Sequence, residues 1–274
     1  MNVSTALRQG AELLEKDSIS APRLTAEVLL AHALRCARVD LYAHPERELS
    51  DLEQLHYGRC LHERLRRKPT QYITGRQEFY GRVFRVTPAV LIPRPETELV
   101  VEVALRLAVA AGRVLDVGTG SGCLAVTLRK ELPHAVVFAS DVSLPALAVA
   151  RENARLFEAQ VHFFCADLLE PLQPGGLDLI VSNPPYVPKE EMAGLPAEVR
   201  EYEPVTALAG GPAFYQRLLP GAARALRRGG WLVLELGYKS RAQVEEMVGA
   251  EWSERIIERD LAGWERVLAL RRGV

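Results

Sequence analysis

From Arg113 onward the chain alternates short apolar runs with helical patterns, and no other feature constrains the fold as much. The runs at 114–117, 136–139, 161–164, 179–181 and 231–236 have the length and β-branched or aromatic content of buried strands. Helical patterns at 122–131, 143–157 and 213–228 separate most of them. Strands buried on both faces and joined by helices form a parallel sheet with helices on each side. Two further runs, 254–258 and 264–270, are separated only by a short turn containing Gly263, so the last pair is expected to be antiparallel. Ligands of such sheets bind outside the carboxyl ends of the strands.

The first 75 residues read differently. Leu7, Leu13 and Leu14 lie on one amphipathic helix, and Leu24, Val28 and Leu29 on a second with Pro22 near its start. Ser50 and Glu53 form a capping box that opens a third, expected to run to about Lys68 before Pro69 stops it. The reading divides the chain into a helical domain at 1–75, a linker at 76–93 with a β-hairpin near 79–86, and an α/β domain at 94–274. Pro95, followed by Glu96 and Glu98, suits the start of a helix.

Charge and composition exclude several classes. The formal net charge is −1, so this is not a polycation built for nucleic acid. No run approaches the ~18 apolar residues of a membrane span, and no leader-like apolar segment opens the chain. The four cysteines form no C-x-x-C pair and the six histidines are scattered, so neither a metal site nor a disulfide framework is expected. A reducing cytoplasm is the expected compartment. The basic run Arg59, Arg64, Arg66, Arg67, Lys68 and Arg76 has only Glu63 against it, and reads as a solvated helix face or as part of a docking surface.

The first candidate site lies where the run at 114–117 breaks into Gly118-Thr119-Gly120-Ser121-Gly122. Glycines let a ligand approach the backbone, and the following helix points amides toward it. The spacing is G-x-G-x-G, not the G-x-G-x-x-G of dinucleotide binders. Asp116, two residues upstream, favours a cationic ligand over a pyrophosphate. Asp141 ends the next strand, where a carboxylate accepts from both hydroxyls of a ribose. Asp167 and Leu168 end the third, with Leu168 placed to cover an adenine ring and Asp167 near its amino group. Together these residues resemble the S-adenosylmethionine half of the seven-stranded methyltransferases.

The second candidate site is Asn183-Pro184-Pro185-Tyr186, directly after the fourth run. Two prolines stiffen the turn. An amide oxygen, a carbonyl and a flat ring together suit a planar –NH2 group. The motif resembles the signature of methyltransferases acting on adenine N6, guanine N2 or the side-chain amide of glutamine. Acceptors on both hydrogens favour pyramidalisation of such a nitrogen, and transfer then needs mainly positioning.

The stretches from Tyr72 to Gly81 and Leu91 to Glu98, with Glu203-Pro204-Val205-Thr206-Ala207-Leu208-Ala209-Gly210-Gly211, resemble the HemK/PrmC family. The resemblance covers essentially the whole chain. It implies an α/β fold: a seven-stranded, Rossmann-like S-adenosylmethionine-dependent methyltransferase domain with a small all-helical N-terminal domain. It implies methylation of the glutamine in the Gly-Gly-Gln loop of class 1 peptide chain release factors, with a nucleic-acid amino methyltransferase as the alternative. It also implies that Gly118, Thr119, Gly120, Ser121, Gly122, Asp141, Asp167, Leu168 and Asn183 hold the cofactor. Asn183, Pro184, Pro185 and Tyr186 would form the glutamine pocket, with Asn183, Pro184 and Tyr186 nearest the chemistry. Arg94 and the Phe79 region would line the approach. No direct nucleic-acid binding and no membrane association are expected.

Overall fold

The computed structural model describes residues 1–108, 110–238 and 240–273; Val274, the last residue of the expected α/β domain, lies outside them. In chain order the helices and strands are α1 (Val3–Lys16), α2 (Pro22–Leu34), α3 (Arg38–Ala43), α4 (Asp51–Leu65), α5 (Thr70–Thr74), β1 (Arg76–Phe79), β2 (Arg82–Arg85), α6 (Glu98–Leu107), β3 (Arg113–Val117), α7 (Cys123–Glu131), β4 (Val136–Asp141), α8 (Leu144–Leu156), β5 (Val161–Cys165) and β6 (Leu177–Ser182). Then follow α9 (Ala197–Tyr202), α10 (Val205–Leu208), α11 (Gly211–Ala225), β7 (Leu226–Glu235), α12 (Arg241–Glu245), β8 (Trp252–Arg259) and β9 (Glu265–Arg272). The chain divides into two compact units, one of residues 1–76 and 196–202, the other of 77–195 and 203–274.

In the first unit α1, α2 and α4 bury Val3, Leu14, Leu29, Leu30, Tyr57 and Leu61 in one core. The capping box forms: the Glu53 amide donates to Ser50 Oγ, and the Ser50 amide donates to Glu53 Oε2. The helix ends at Leu65, short of Lys68. Segment 196–202 belongs to this unit through Glu198, which pairs with the buried Arg64, and Tyr202, whose hydroxyl donates to the Arg66 carbonyl at 2.6 Å. Arg67 pairs with Asp17 and Lys68 with Glu63. Three of the six cations of the basic run are thus committed inside the unit.

The second unit carries a seven-stranded sheet in the order β5-β4-β3-β6-β7-β9-β8. Strands β3 to β7 pair in parallel, and β9 lies antiparallel between β7 and β8. The chain steps outward from β3 to β5, then returns to place β6 on the other side of β3. The order therefore reverses between β3 and β6, where an open sheet offers its crevice. Alternate residues serve opposite faces: Val114, Val137, Val181 and Val233 pack under α6 and α7, while Leu115, Ile180, Leu232 and Leu234 pack under α11. By the same alternation Asp116 and Glu235 lie on the α6/α7 face, and both are fully buried.

Two local expectations shift. The hairpin pairs Arg76–Phe79 with Arg82–Arg85, turning at Tyr80 (φ 51°) and Gly81 (φ 68°). The helix expected over 213–228 stops at Ala225, because Leu226 pairs with Leu177 and begins β7. The local Leu-Arg-Arg continues a helical pattern, and the neighbouring strand overrides it. Among the described residues no helix is long and apolar enough to cross a membrane.

Candidate functional site

A cavity opens at the carboxyl ends of β3, β4, β5 and β6. Residues 117–121, 141–143 and 166–168 line it, together with Asn183, Pro185, Thr97 and Phe214. It thus brings together Gly118, Thr119, Gly120, Ser121, Asp141, Asp167, Leu168, Asn183 and Pro185. Gly122, Pro184 and Tyr186 are not among its lining residues.

Gly118, Gly120 and Gly122 all have positive φ, at 73°, 54° and 82°, which only glycine adopts without strain. A Cβ on Gly118 or Gly120 would meet no described atom within 4 Å, so these two face open space. Gly122 differs: its Cβ would come within 3.1 Å of Ala150 Cβ, so this glycine lets α8 pack closely. Four amides of the turn are engaged within the protein. Gly118 and Thr119 both donate to the Ser140 carbonyl, Gly120 to Asp141 Oδ2 and Gly122 to the Thr119 carbonyl. The turn offers shape, and an anion would find these donors already engaged.

Asp116 has the same character. Its Oδ2 accepts from Thr119 Oγ1 at 2.6 Å and from the Ala125 amide at 3.2 Å, and it does not line the cavity. Burial first, and the nearby Asp141 last, push its carboxyl up to about 7. It staples the turn from beneath and does not face a ligand. Asn153 on α8 is a second staple: its Nδ2 donates to the Ser121 carbonyl at 2.8 Å and to the Arg85 carbonyl at 2.9 Å. Asp141 does reach the cavity. Each of its oxygens accepts one backbone amide, Gly120 on Oδ2 and Ser143 on Oδ1, both at 2.9 Å. A carboxylate oxygen has room for a second donor, so both can still accept from a ligand hydroxyl. Leu168 is buried with φ 55°, a sparsely populated conformation at the cavity wall. Asp167 is exposed and pairs with Arg217 at 2.7 Å.

The Asn-Pro-Pro-Tyr loop follows β6 directly, and residues 203–211 pack against it. The Val187 amide donates to the Leu208 carbonyl, and the Gly210 amide to the Val187 carbonyl. A Cβ on Gly210 would lie 2.0 Å from the Pro185 carbonyl oxygen, so the loop and this segment touch backbone to backbone. Glu203 anchors the segment: it is buried, pairs with Arg94 and accepts from the Ile92 amide. Arg94 pairs with Glu203 and is not among the residues that line the cavity, and Phe79 sits in the core at 1% exposure. The Tyr186 ring lies against Gly237, where a Cβ would come within 2.8 Å. Burial, with Glu235 adding to it, pushes the Tyr186 hydroxyl up to about 12. Asn183 Nδ2 donates to Thr97 Oγ1 at 3.0 Å, and Asn183 Oδ1 is buried with no hydrogen-bond partner among the described residues.

Residues 5–75 match the model of the PrmC N-terminal domain, and residues 96–196 that of the methyltransferase small domain. Over 278 residues the chain is 45% identical to the release factor glutamine methyltransferase of Koribacter versatilis, covering 99% of each chain. The chain belongs to the release factor glutamine methyltransferase family. The enzyme of that name from Geobacter sulfurreducens is 46% identical over 239 residues, 86% of this chain and 83% of that one. Among solved structures, a methyltransferase from Pyrococcus furiosus has a TM-score of 0.54 at 22% identity, over 72% of this chain and 91% of that one. That likeness shows the fold, a seven-stranded methyltransferase sheet.

The sequence reading of this methyltransferase missed Thr97, Asn153 and Glu235. Glu235 carried a signal, a lone acid near the end of the apolar run 231–236. Thr97 stood between two glutamates with nothing to distinguish it. Asn153 lay inside a helix, where its contacts to 85 and 121 are visible only after folding.

Proposed function

We propose that this methyltransferase transfers the methyl group of S-adenosylmethionine to the side-chain amide nitrogen of the glutamine in the Gly-Gly-Gln loop of class 1 release factors. The observation that carries the reading is Asn183 Oδ1, a buried acceptor without a protein partner on the wall of a cavity. An unpaired buried carbonyl oxygen costs about 1–3 kcal/mol, so a donor is expected to meet it.

The residues present fit the cofactor. Gly118 and Gly120 leave the space that a Cβ would fill, and Asp141 keeps acceptor capacity for a ribose. Leu168 offers an apolar wall for an adenine, and Thr119, Ser121 and Gly122 shape the turn. Asp167 would lie near the adenine amino group. When bound, S-adenosylmethionine supplies an electrophilic methyl on a sulfonium.

This chain's residues hold the other reactant. Asn183 Oδ1 accepts one hydrogen of the glutamine –NH2, and the Pro184 carbonyl accepts the other. Tyr186 packs on the amide plane, and Pro185 fixes the turn that carries them all. Both acceptors gain strength as the nitrogen pyramidalises, so they stabilise the transition state more than the ground state. The Tyr186 hydroxyl, held up at about 12, stays protonated and takes no proton from the substrate. The amide loses its proton to water after transfer. The helical residues 1–75 would recognise the body of the release factor, residues 94–274 would carry the chemistry, and the cytoplasm is where both partners would meet.

Mass spectrometry of a purified release factor, incubated with the enzyme and S-adenosylmethionine, tests this. One added methyl on the Gly-Gly-Gln glutamine is expected. Methylation of ribosomal RNA or DNA in parallel reactions, with an unmodified release factor, would replace the reading by a nucleic-acid one.

A further inference from the structure

Behind Asn183 lies a chain of three side chains. Thr97 Oγ1 donates to Glu235 Oε2 at 2.6 Å, and Asn183 Nδ2 donates to the same Thr97 Oγ1 at 3.0 Å. Thr97 and Glu235 are each 1% exposed, so water does not substitute for either contact. A hydroxyl has one proton and two lone pairs. With the proton committed to the carboxylate, Thr97 presents only lone pairs to Asn183. The asparagine must therefore turn its –NH2 toward Thr97. Rotating the amide by half a turn would set Oδ1 against those lone pairs. Oδ1 is thereby left on the other side, where it has no partner among the described residues.

We infer that Glu235, acting through Thr97, decides which end of the Asn183 amide faces the substrate, so that Thr97 and Glu235 are positioning residues for methyl transfer. The inference rests on the reading of Asn183 as the glutamine acceptor. Neither residue touches the reacting atoms; both act by removing the unproductive rotamer. Asparagine and glutamine carry both a donor and an acceptor on one flat group. A site that reads –NH2 with an amide must therefore suppress the flipped state, and a buried carboxylate two bonds away does so without competing for the substrate.

The surroundings of Glu235 give the relay a pH dependence. Arg266 on β9 and Arg94 favour its charged form, and Glu96 opposes it. Among the described residues Tyr186, Tyr215 and Cys123 also feel Glu235, each held protonated by burial. Burial outweighs the hydrogen bond and the two arginines and pushes Glu235 up to about 7. Once protonated, Glu235 can donate to Thr97. The threonine proton is then free to turn toward Asn183, and the preference for one amide rotamer is lost.

Two measurements on the full chain test this. In the absence of any substrate, the Asn183 side-chain –NH2 resonances are identified by their loss in Asn183→Ala. They should shift and exchange faster with solvent in Thr97→Val, and return in Thr97→Ser. In single-turnover methyl transfer, Thr97→Val should slow the reaction about ten-fold, less than the ~10²-fold for loss of a preorganised contact itself because Asn183 remains, with a smaller change in cofactor affinity. In the Asn183→Ala background the same change should add nothing, because a relay has no effect once its endpoint is gone. Glu235→Gln keeps an acceptor for Thr97 and should flatten the acid limb expected of the wild type below about pH 7. Additive losses in the double variant, or Asn183 resonances unmoved by Thr97→Val, would overturn the relay. A wild-type enzyme that leaves glutamine unmethylated would overturn the functional reading instead, and the resonances would still judge the relay.

Discussion

Two buried carboxyls on one face of the sheet do comparable work by different routes. Asp116 sits near the end of β3 and Glu235 at the end of β7, and burial raises both to about 7. Asp116 binds partners three and nine residues away, Thr119 and the Ala125 amide. Glu235 binds Thr97, 138 residues away, and through it reaches Asn183. The first shapes a loop from within that loop. The second sets the orientation of a side chain in the loop that follows another strand, β6. The glycine turn is held by Asp116 beside it and by its neighbours β4 and α8, through Ser140, Asp141 and Asn153, while the Asn-Pro-Pro-Tyr loop depends on β7, the turn before α6 and segment 203–211 together. Binding should accordingly track the first region and rate the second.

That division can be broken by experiment. Asn183→Ala should slow single-turnover transfer about 10²-fold, the scale for one preorganised polar contact, and change cofactor affinity far less. If calorimetry shows affinity falling as steeply as rate, the two regions are not separate. Asp141→Ala should do the reverse and cost about 1.5–3 kcal/mol of S-adenosylmethionine binding, since each lost hydrogen bond is to a charged group. Unchanged affinity would remove Asp141 from the cradle. Gly210→Ala should cost about 1–3 kcal/mol of stability by overpacking, because its Cβ would meet the Pro185 carbonyl at 2.0 Å and neither backbone can yield easily. Chemical denaturation measures it, and a cost near zero would mean that the loop and segment 203–211 are not in firm contact.

The last prediction concerns pH. Asp116 titrates near 3.8 when free and about 7 when folded, so the folded chain holds the proton more tightly. The stability it contributes is complete below about pH 4 and is lost as pH rises through about 7. Asp116→Asn cannot titrate and should reduce the fall in melting temperature between about pH 4 and 7, leaving the part that Glu235 contributes. A variant that keeps the wild-type slope would show that Asp116 is not the buried acid responsible.

Much of this was open to inspection in the residues themselves. The alternation after Arg113 specifies parallel strands because a strand buried on both faces must be apolar throughout. The capping box at Ser50 and the turn at Gly118 to Gly122 are local chemistry, as are the two prolines that stiffen the loop after Asn183. Each is announced by residues a few positions apart, although β4 and α8 then hold the glycine turn in place. Tertiary structure decided the rest. Leu226 joins a strand because Leu177 pairs with it, although its own neighbourhood is helical. Arg94 and Phe79 turn into an ion pair and into the core. Gly210 is a glycine because Pro185, 25 positions earlier, passes over it. Thr97 and Glu235 meet only when β7 comes to lie beneath the start of α6. A single hydroxyl proton then sets the direction of an amide, and no pattern of spacing encodes a contact across 138 residues.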